Sequence, residues 1–192
     1  DNHSGCGRKN QMRLPTIAVA GCLAVMSSAG SAGVTAQQPV IAGYGTITPV
    51  EGAVERPDRS LRYRVLFSVT KAASSPDKVN PSLEKVARFL NLLGADGVRP
   101  AQGDVVVIVH GPATPIISED GVYATKTGAA KNPNLALIGA LKRAGVSVRV
   151  CSQALVGNGI APATVDNAVE VDVSALTTMA TLQIRGWALI PD

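Results

Sequence analysis

The sequence predicts a three-layer α/β sandwich built on a mostly parallel sheet of about five strands. Segments that suit strands alternate along the chain with segments that suit helices. One of them, residues 105–109, is an unbroken β-branched run (VVVIV). Such runs are typical of parallel strands that are buried on both faces. Strand–helix alternation of this kind indicates helices packed on both sides of a single sheet.

Each element follows from a local pattern. Five runs rich in β-branched and aromatic residues suit strands: 63–69, 104–109, 146–150, 169–173 and 186–190. Three segments carry leucine and other apolar residues every three or four positions, which predicts helices: 80–94, 132–145 and 174–185. An Asn-Pro pair opens the first two, because asparagine caps free N–H groups and proline fits the first helical position. Gly94 and Gly145 are predicted to end them, and 113–131 is predicted to be a long loop with room for one short helix.

The first 36 residues match a secretory signal peptide. Three basic residues precede an uncharged stretch, 14–36, which ends in small residues at Ala36. This order is typical of a leader that is cleaved during export. Two alternatives stay open: lipidation at Cys22, which follows small residues, and an uncleaved membrane anchor. All three place the domain outside the cytoplasm, and we expect it in the bacterial periplasm or held on the membrane.

Composition excludes several classes of protein. The chain has 192 residues, of which 46% are hydrophobic and 17% charged, so it is not intrinsically disordered. Only 3% are aromatic, which argues against binding of single-stranded nucleic acid by base stacking. The net charge of +4 falls to about +2 without residues 1–36, and no basic stripe is present. We therefore expect no nucleic-acid partner.

Proline and glycine divide the rest of the chain. Residues 37–60 contain three prolines and no helical period, which predicts an extended linker with a short edge strand at 43–48. The predicted domain spans residues 61–192.

Cys151 and His110 are the candidate site residues. Cys151 is the only cysteine left once the leader is removed, so it has no partner for a disulfide within its chain. It ends the third predicted strand, His110 follows the second, and Thr70 follows the first. Sites in open α/β sheets form outside the carboxyl ends of the strands, so we expect these residues at one edge. A short helix after Cys151, stopped by Gly157 or Gly159, would favour a thiolate there.

Other interpretations of these residues stay open. The sequence is equally compatible with an inert buried thiol at Cys151, a turn residue at His110 and a strand end at Thr70. A structural zinc site needs four Cys or His ligands, so we expect no metal. A cysteine hydrolase needs a third, orienting group, and nothing in the sequence supports Asp104 or Asp166 in that role.

The segment 148–155, followed by Gly159 and Ile160, resembles the cysteine-containing segment of the DsrE/DsrF-like family. Further segments match the family in the expected order: 63–69, 80–94, 105–111, 141–145 and 176–190. The resemblance covers roughly residues 61–192. It implies a three-layer α/β domain that assembles into homo-oligomers, commonly trimers or hexamers.

The resemblance also implies a function. In sulfur-relay members of the family, the cysteine equivalent to Cys151 accepts sulfur as a persulfide and passes it to a partner protein, without a metal or organic cofactor. The predicted leader departs from those cytoplasmic members. Two hypotheses follow: a thiol-based sulfur carrier or small sulfurtransferase with His110 as a polar neighbour, or a non-catalytic oligomeric binding or structural module with an inert Cys151.

Overall fold

The computed structural model describes residues 38–192, and the predicted leader lies outside them. Five strands form one sheet: β1 (Val65–Val69), β2 (Val105–Val109), β3 (Ser147–Cys151), β4 (Val169–Asp172) and β5 (Ala188–Ile190). The α-helices are α1 (Pro81–Ala95), α2 (Asp120–Thr127), α3 (Leu135–Arg143), α4 (Ser152–Gly157) and α5 (Ala175–Ile184). No helix within residues 38–192 is long and apolar enough to cross a membrane.

The sheet is parallel throughout, with the strand order β4-β3-β2-β1-β5. The central strand β2 is buried along its whole length, as the β-branched run predicted. The α/β fold with a parallel sheet of five strands is therefore confirmed. Side chains alternate across the sheet, so β1, β2 and β3 each contribute buried residues to two separate apolar clusters.

Helices cover the two faces of the sheet unequally. On one face, called the α1/α3 face, Val105, Val107 and Val109 join the large core with residues of α1 and α3. On the other, called the α5 face, Val106 and Ile108 belong to a small cluster that α5 covers. The α1/α3 face thus holds most of the buried apolar surface, which is the main source of folding stability.

The predicted ends of α1 are half right. The Asn80 side chain accepts a hydrogen bond from the Ser82 N–H at 2.9 Å, so it caps the helix as expected. Gly94 does not end the helix, which continues to Ala95, and Gly97 at φ 76° is the left-handed residue beyond it. Gly94 has a different role, because a Cβ there would collide with the side chains of Val40 and Arg99.

The second Asn-Pro pair was misread. Helix α3 begins at Leu135, and the Asn132 side chain instead accepts the N–H of Asn134 at 3.0 Å to form a turn before it. The stop at Gly145 is confirmed, since its φ of 89° is left-handed. The predicted loop 113–131 is mostly ordered into a 3-10 helix, Gly111–Ile117, and α2.

The segment 38–60 packs against α1. The buried Asn91 side chain accepts the Ile41 N–H at 2.8 Å and donates to the Tyr44 carbonyl at 2.9 Å. Residues 43–48 form no strand, contrary to the prediction. Backbone groups of this segment are therefore satisfied by a side chain of α1 rather than by the edge of the sheet.

Candidate functional site

Three side chains lie at the carboxyl ends of neighbouring strands, at one edge of the sheet. Val69 pairs with Val109, and Val109 pairs with Val150. The residues that come one position later in the chain are Thr70, His110 and Cys151. Thr70 therefore lies beside His110, and His110 lies beside Cys151. We call these three residues together with Asp172, which pairs with Cys151 on β4, the edge row. The sequence analysis expected Thr70, His110 and Cys151 at one edge, and the structure adds Asp172.

Cys151 faces the α5 side of the sheet and is only 5% exposed. Its buried neighbours in the small cluster include Ile108, Ala175 and Leu182. The sequence analysis placed the thiol at the edge and left open whether it was buried. The cause of its burial is the alternation of β3, which turns Cys151 toward α5 rather than into solvent.

Helix α4 starts directly after Cys151, as the sequence predicted. It runs for six residues, and Gly159 beyond it has the left-handed φ of 58° that lets the chain turn back. The Ser152 hydroxyl donates to the Val173 carbonyl at 2.7 Å, which ties the first residue of α4 to the end of β4. The backbone at Cys151 is thereby held from both sides.

His110 is bonded through both its backbone and its ring. Its N–H donates to the Val69 carbonyl at 3.0 Å, and its Nε2 lies 2.9 Å from the Ser68 hydroxyl oxygen. Burial lowers the pKa of His110 below its usual value, and the nearby Asp192 carboxylate opposes part of that shift. The neutral imidazole is therefore favoured at pH 7, and this form can accept a proton.

The sequence analysis missed Asp192, whose carboxylate anchors the edge row at β1. Oδ2 accepts from the Thr70 N–H at 2.7 Å, the Thr70 hydroxyl at 2.8 Å and the Lys71 N–H at 2.6 Å. Oδ1 accepts from the Ser82 hydroxyl. Partial burial raises the pKa of Asp192, but the hydrogen bonds from Ser82, Lys71 and Thr70 outweigh it and lower that pKa to about 2.

Neither aspartate considered as an orienting group lies in the edge row. Asp104 precedes β2 at the opposite end of the sheet, where Arg62 binds both of its oxygens at 2.8 and 2.9 Å. These hydrogen bonds hold the pKa of Asp104 below its ordinary value. Asp166 accepts the N–H of Ala168 in the loop before β4. Both carboxylates have structural roles.

A cavity of about 250 Å³ lies on the α5 face beside the edge row. Arg149 and Asp172 line it together with residues of α5, and Cys151 does not. Arg149 Nη1 is 3.6 Å from Asp172 Oδ2, and Arg149 Nε is 3.5 Å from Glu170 Oε2. Arg185 lines the same cavity, so its wall carries two guanidinium groups and one carboxylate, that of Asp172.

Residues 38–192 contain no group of three or more His, Cys, Asp or Glu side chains arranged to hold a metal ion. The edge row combines one thiol, one imidazole and the carboxylate of Asp172 at successive positions. Its chemistry is therefore that of a thiol beside a neutral proton acceptor.

The fold and the edge row define an all-parallel α/β protein with one free cysteine, among residues 38–192, at the carboxyl edge of the sheet. The chain belongs to the DsrE/DsrF-like family, whose model matches residues 63–191. This confirms the resemblance found in the sequence.

Among solved structures, the chain is similar to a protein of unknown function, MTH1491 from Methanobacterium thermoautotrophicum. The identity is 20%, the match covers 68% of this chain and 99% of that chain, and the TM-score is 0.50. Similarity at this identity shows a shared fold alone. No curated protein matches the chain.

The hydrogen bonds to Asp192 predict a pH-dependent loss of stability. Asp192→Asn should lower the free energy of unfolding at pH 7 by about 1–2 kcal/mol, because charged acceptors bind donors more strongly than neutral ones. The folded pKa of about 2 lies below the ordinary 3.8. The difference in the free energy of unfolding between wild type and variant should therefore be largest above about pH 4 and disappear as the pH falls toward 2. Urea unfolding across this range measures it.

Glu55→Gln is the matched control, because Glu55 is exposed and makes no hydrogen bond within the described residues. It should unfold like wild type at every pH. An Asp192→Asn protein that is as stable as wild type at pH 7 would contradict the anchoring role.

Proposed function

We propose that the protein is a thiol-based sulfur carrier in which Cys151 accepts sulfur as a persulfide. One observation carries the proposal: the free cysteine closes β3 in the edge row, directly beside His110, whose neutral imidazole is favoured. Membership of the DsrE/DsrF-like family, which is associated with sulfur relay, supports it. His110 is the polar neighbour of the acceptor.

The transfer needs no metal and no redox cofactor. The Cys151 thiolate attacks the outer sulfur of a sulfane-sulfur donor, a new S–S bond forms, and the donor's own S–S bond breaks. The electron pair leaves with the donor's remaining sulfur, which takes a proton. Attack of the acceptor's thiolate on the persulfide passes the sulfur on and restores Cys151, so electrons balance without an oxidant.

A protein donor or acceptor fits the surroundings of the thiol. No charged residue occurs within 150–165 or 173–184, the two stretches that meet near Cys151. Val156 and Val173 expose their side chains on these stretches. An exposed, charge-free apolar surface is typical of a site where another protein docks.

The burial of Cys151 favours a second candidate function. A thiol that is 5% exposed among aliphatic side chains also behaves as a small hydrophobic residue. In that case the protein is a non-catalytic binding or structural module. The two candidates differ in whether Cys151 gains sulfur while the protein is folded.

Intact mass after exposure to sodium tetrasulfide distinguishes them. The carrier should gain the mass of one or more sulfur atoms at Cys151 and lose it on treatment with a thiol reductant. Cys151→Ser should lose this gain and keep only the sulfur taken up at Cys6 and Cys22. Peptide mapping assigns the added mass to the residue.

Cys22→Ser is the matched control, because it makes the same change outside the described residues and should leave the gain at Cys151 intact. A folded protein whose Cys151 stays unmodified under conditions that modify the unfolded chain supports the inert module instead.

We also propose that the protein is exported and that residues 1–36 act as a leader. The uncharged stretch 14–36 after basic residues supports this. The same intact mass, measured on protein from the bacterial periplasm and from membranes, distinguishes cleavage after Ala36 from lipidation at Cys22 and from an uncleaved anchor.

We propose in addition that the protein forms a homo-oligomer, a trimer or hexamer, through α5. This helix has no charged residue, yet Leu176 and Ile184 are 76% and 86% exposed. With Ala180 they recur every four residues, so they lie on one side of the helix. Large aliphatic side chains exposed on one side of a helix are typical of a contact with another chain, and copies can meet here without like charges opposing each other.

If the protein is an oligomer, light scattering after gel filtration should give a molar mass larger than that of one chain. Leu176→Asp combined with Ile184→Asp should shift the protein toward the monomer, because the introduced charges would face each other across the contact. Val54→Asp is the matched control at another exposed aliphatic residue. A wild-type protein that stays monomeric at high micromolar concentration would contradict the proposal.

A further inference from the structure

The Ser68 hydroxyl is the only side-chain partner of His110 within the described residues. Ser68 lies on β1 between the buried residues Phe67 and Val69. Its hydroxyl oxygen is 2.9 Å from His110 Nε2. Since Leu66 faces α5, alternation along β1 puts Ser68 on the same face as Cys151.

The contact with Ser68 leaves the other ring nitrogen of His110 unbonded. Nδ1 makes no hydrogen bond within residues 38–192. Cys151 occupies the next position of the edge row on the neighbouring strand, which lies about 4.8 Å away in a parallel sheet. Both side chains project from the α5 face, so the thiol lies on the adjacent strand and on the same face of the sheet as the free nitrogen.

We propose that Ser68 is a positioning residue, which accepts a hydrogen bond from Nε2–H of His110 and so reserves Nδ1 to receive the thiol proton of Cys151. The inference rests on the proposed sulfur-carrier function and deepens it. A histidine ring has one protonated and one unprotonated nitrogen when it is neutral, and the partner of one nitrogen decides the state of the other. A serine hydroxyl can donate or accept, and the acceptor role proposed for Ser68 leaves Nδ1 unprotonated and able to act as a base.

The proton balance closes within the edge row. His110 Nδ1 takes the proton of the Cys151 thiol, which gives a thiolate and an imidazolium. The thiolate attacks the outer sulfur of a donor persulfide, and the S–S bond of the donor breaks. The leaving thiolate takes the proton from His110, which returns to its neutral form.

Few charged groups act on His110. The Asp192 carboxylate, beyond β5, favours the imidazolium, and burial favours the neutral ring. Lys71 follows β1 and donates its N–H to Asp192, and Asp172 lies on β4 beyond Cys151. Helices α4 and α5 and the 3-10 helix after His110 carry no charged residue.

Nitrogen-15 NMR of the imidazole reads the tautomer directly. His3 is the only other histidine, so the spectrum of His110→Gln assigns the signals. The full-length wild type at pH 8 should show the Nε2–H tautomer of His110, and Ser68→Ala should show a mixture. A wild-type ring protonated at Nδ1 would overturn the proposal.

The rate at which iodoacetamide modifies Cys151 gives a second readout. The alkylated Cys151 peptide is quantified by mass, so that Cys6 and Cys22 do not contribute. Ser68→Ala should react on the order of tenfold more slowly than wild type near neutral pH, because a misplaced base loses much of its effect. At high pH, where hydroxide forms the thiolate, the two rates should converge.

The controls separate positioning from damage to the fold. Ser68→Thr keeps the hydroxyl and should restore the rate and the tautomer. Ser147→Ala removes a hydroxyl from β3 far from the edge row and should react like wild type. Equal rates for Ser68→Ala and wild type at neutral pH overturn the proposal, and so does a wild-type Cys151 that reacts at no pH.

Failure of this inference is distinguishable from failure of the proposed function. If Ser68→Ala gains sulfur from tetrasulfide as fast as wild type at neutral pH, Cys151 is a carrier and Ser68 does not position its base. If neither protein gains sulfur even at high pH, the carrier function itself is wrong.

Discussion

The in-register parallel pairing of β1, β2 and β3 is the constraint on which the site depends. Val69, Val109 and Val150 lie side by side, so the residues that follow them reach the same edge of the sheet. A shift of one residue in any strand would turn its last side chain to the opposite face. The large core on the α1/α3 face opposes such a shift, because it would expose β-branched residues that are now buried.

The same strand register explains why the Cys151 thiol lies at the carboxyl edge of the sheet and why α5 buries it. Cys151 shares its face with Val106 and Ile108, and α5 must bury those residues. The uncharged helix α5 supplies that cover, and Ala154 of α4 and Met179 of α5 pack against the same cluster while only partly buried. The thiol thus lies at the edge of an apolar layer, beside an imidazole whose uncharged form is favoured by burial. This arrangement suits a nucleophile that meets another protein's sulfur away from bulk water.

Local chemistry allowed much of the fold to be predicted. Runs such as 105–109 encode buried strands, and Asn80 caps α1 through contacts two residues away. Gly94 was misread because its role depends on Val40 and Arg99, which reach it only in the folded chain. Ser68 and Asp192 carry no local signal for the same reason. Their partners lie 42 and up to 122 residues away, so only the folded sheet shows them.

The most direct test of the account is a cross-strand disulfide between positions 110 and 151. His110→Cys, in a chain that also carries Cys6→Ser and Cys22→Ser, should form an intramolecular disulfide with Cys151 on mild oxidation. Neighbouring strands bring the two Cα atoms to within about 4.4–6.8 Å, which a disulfide spans. The control replaces His110→Cys by Thr70→Cys and keeps Cys6→Ser and Cys22→Ser. Position 70 lies two strands from Cys151, so this variant should form no intramolecular disulfide. Peptide mapping that finds positions 110 and 151 unlinked would contradict the shared edge on which the proposed chemistry depends.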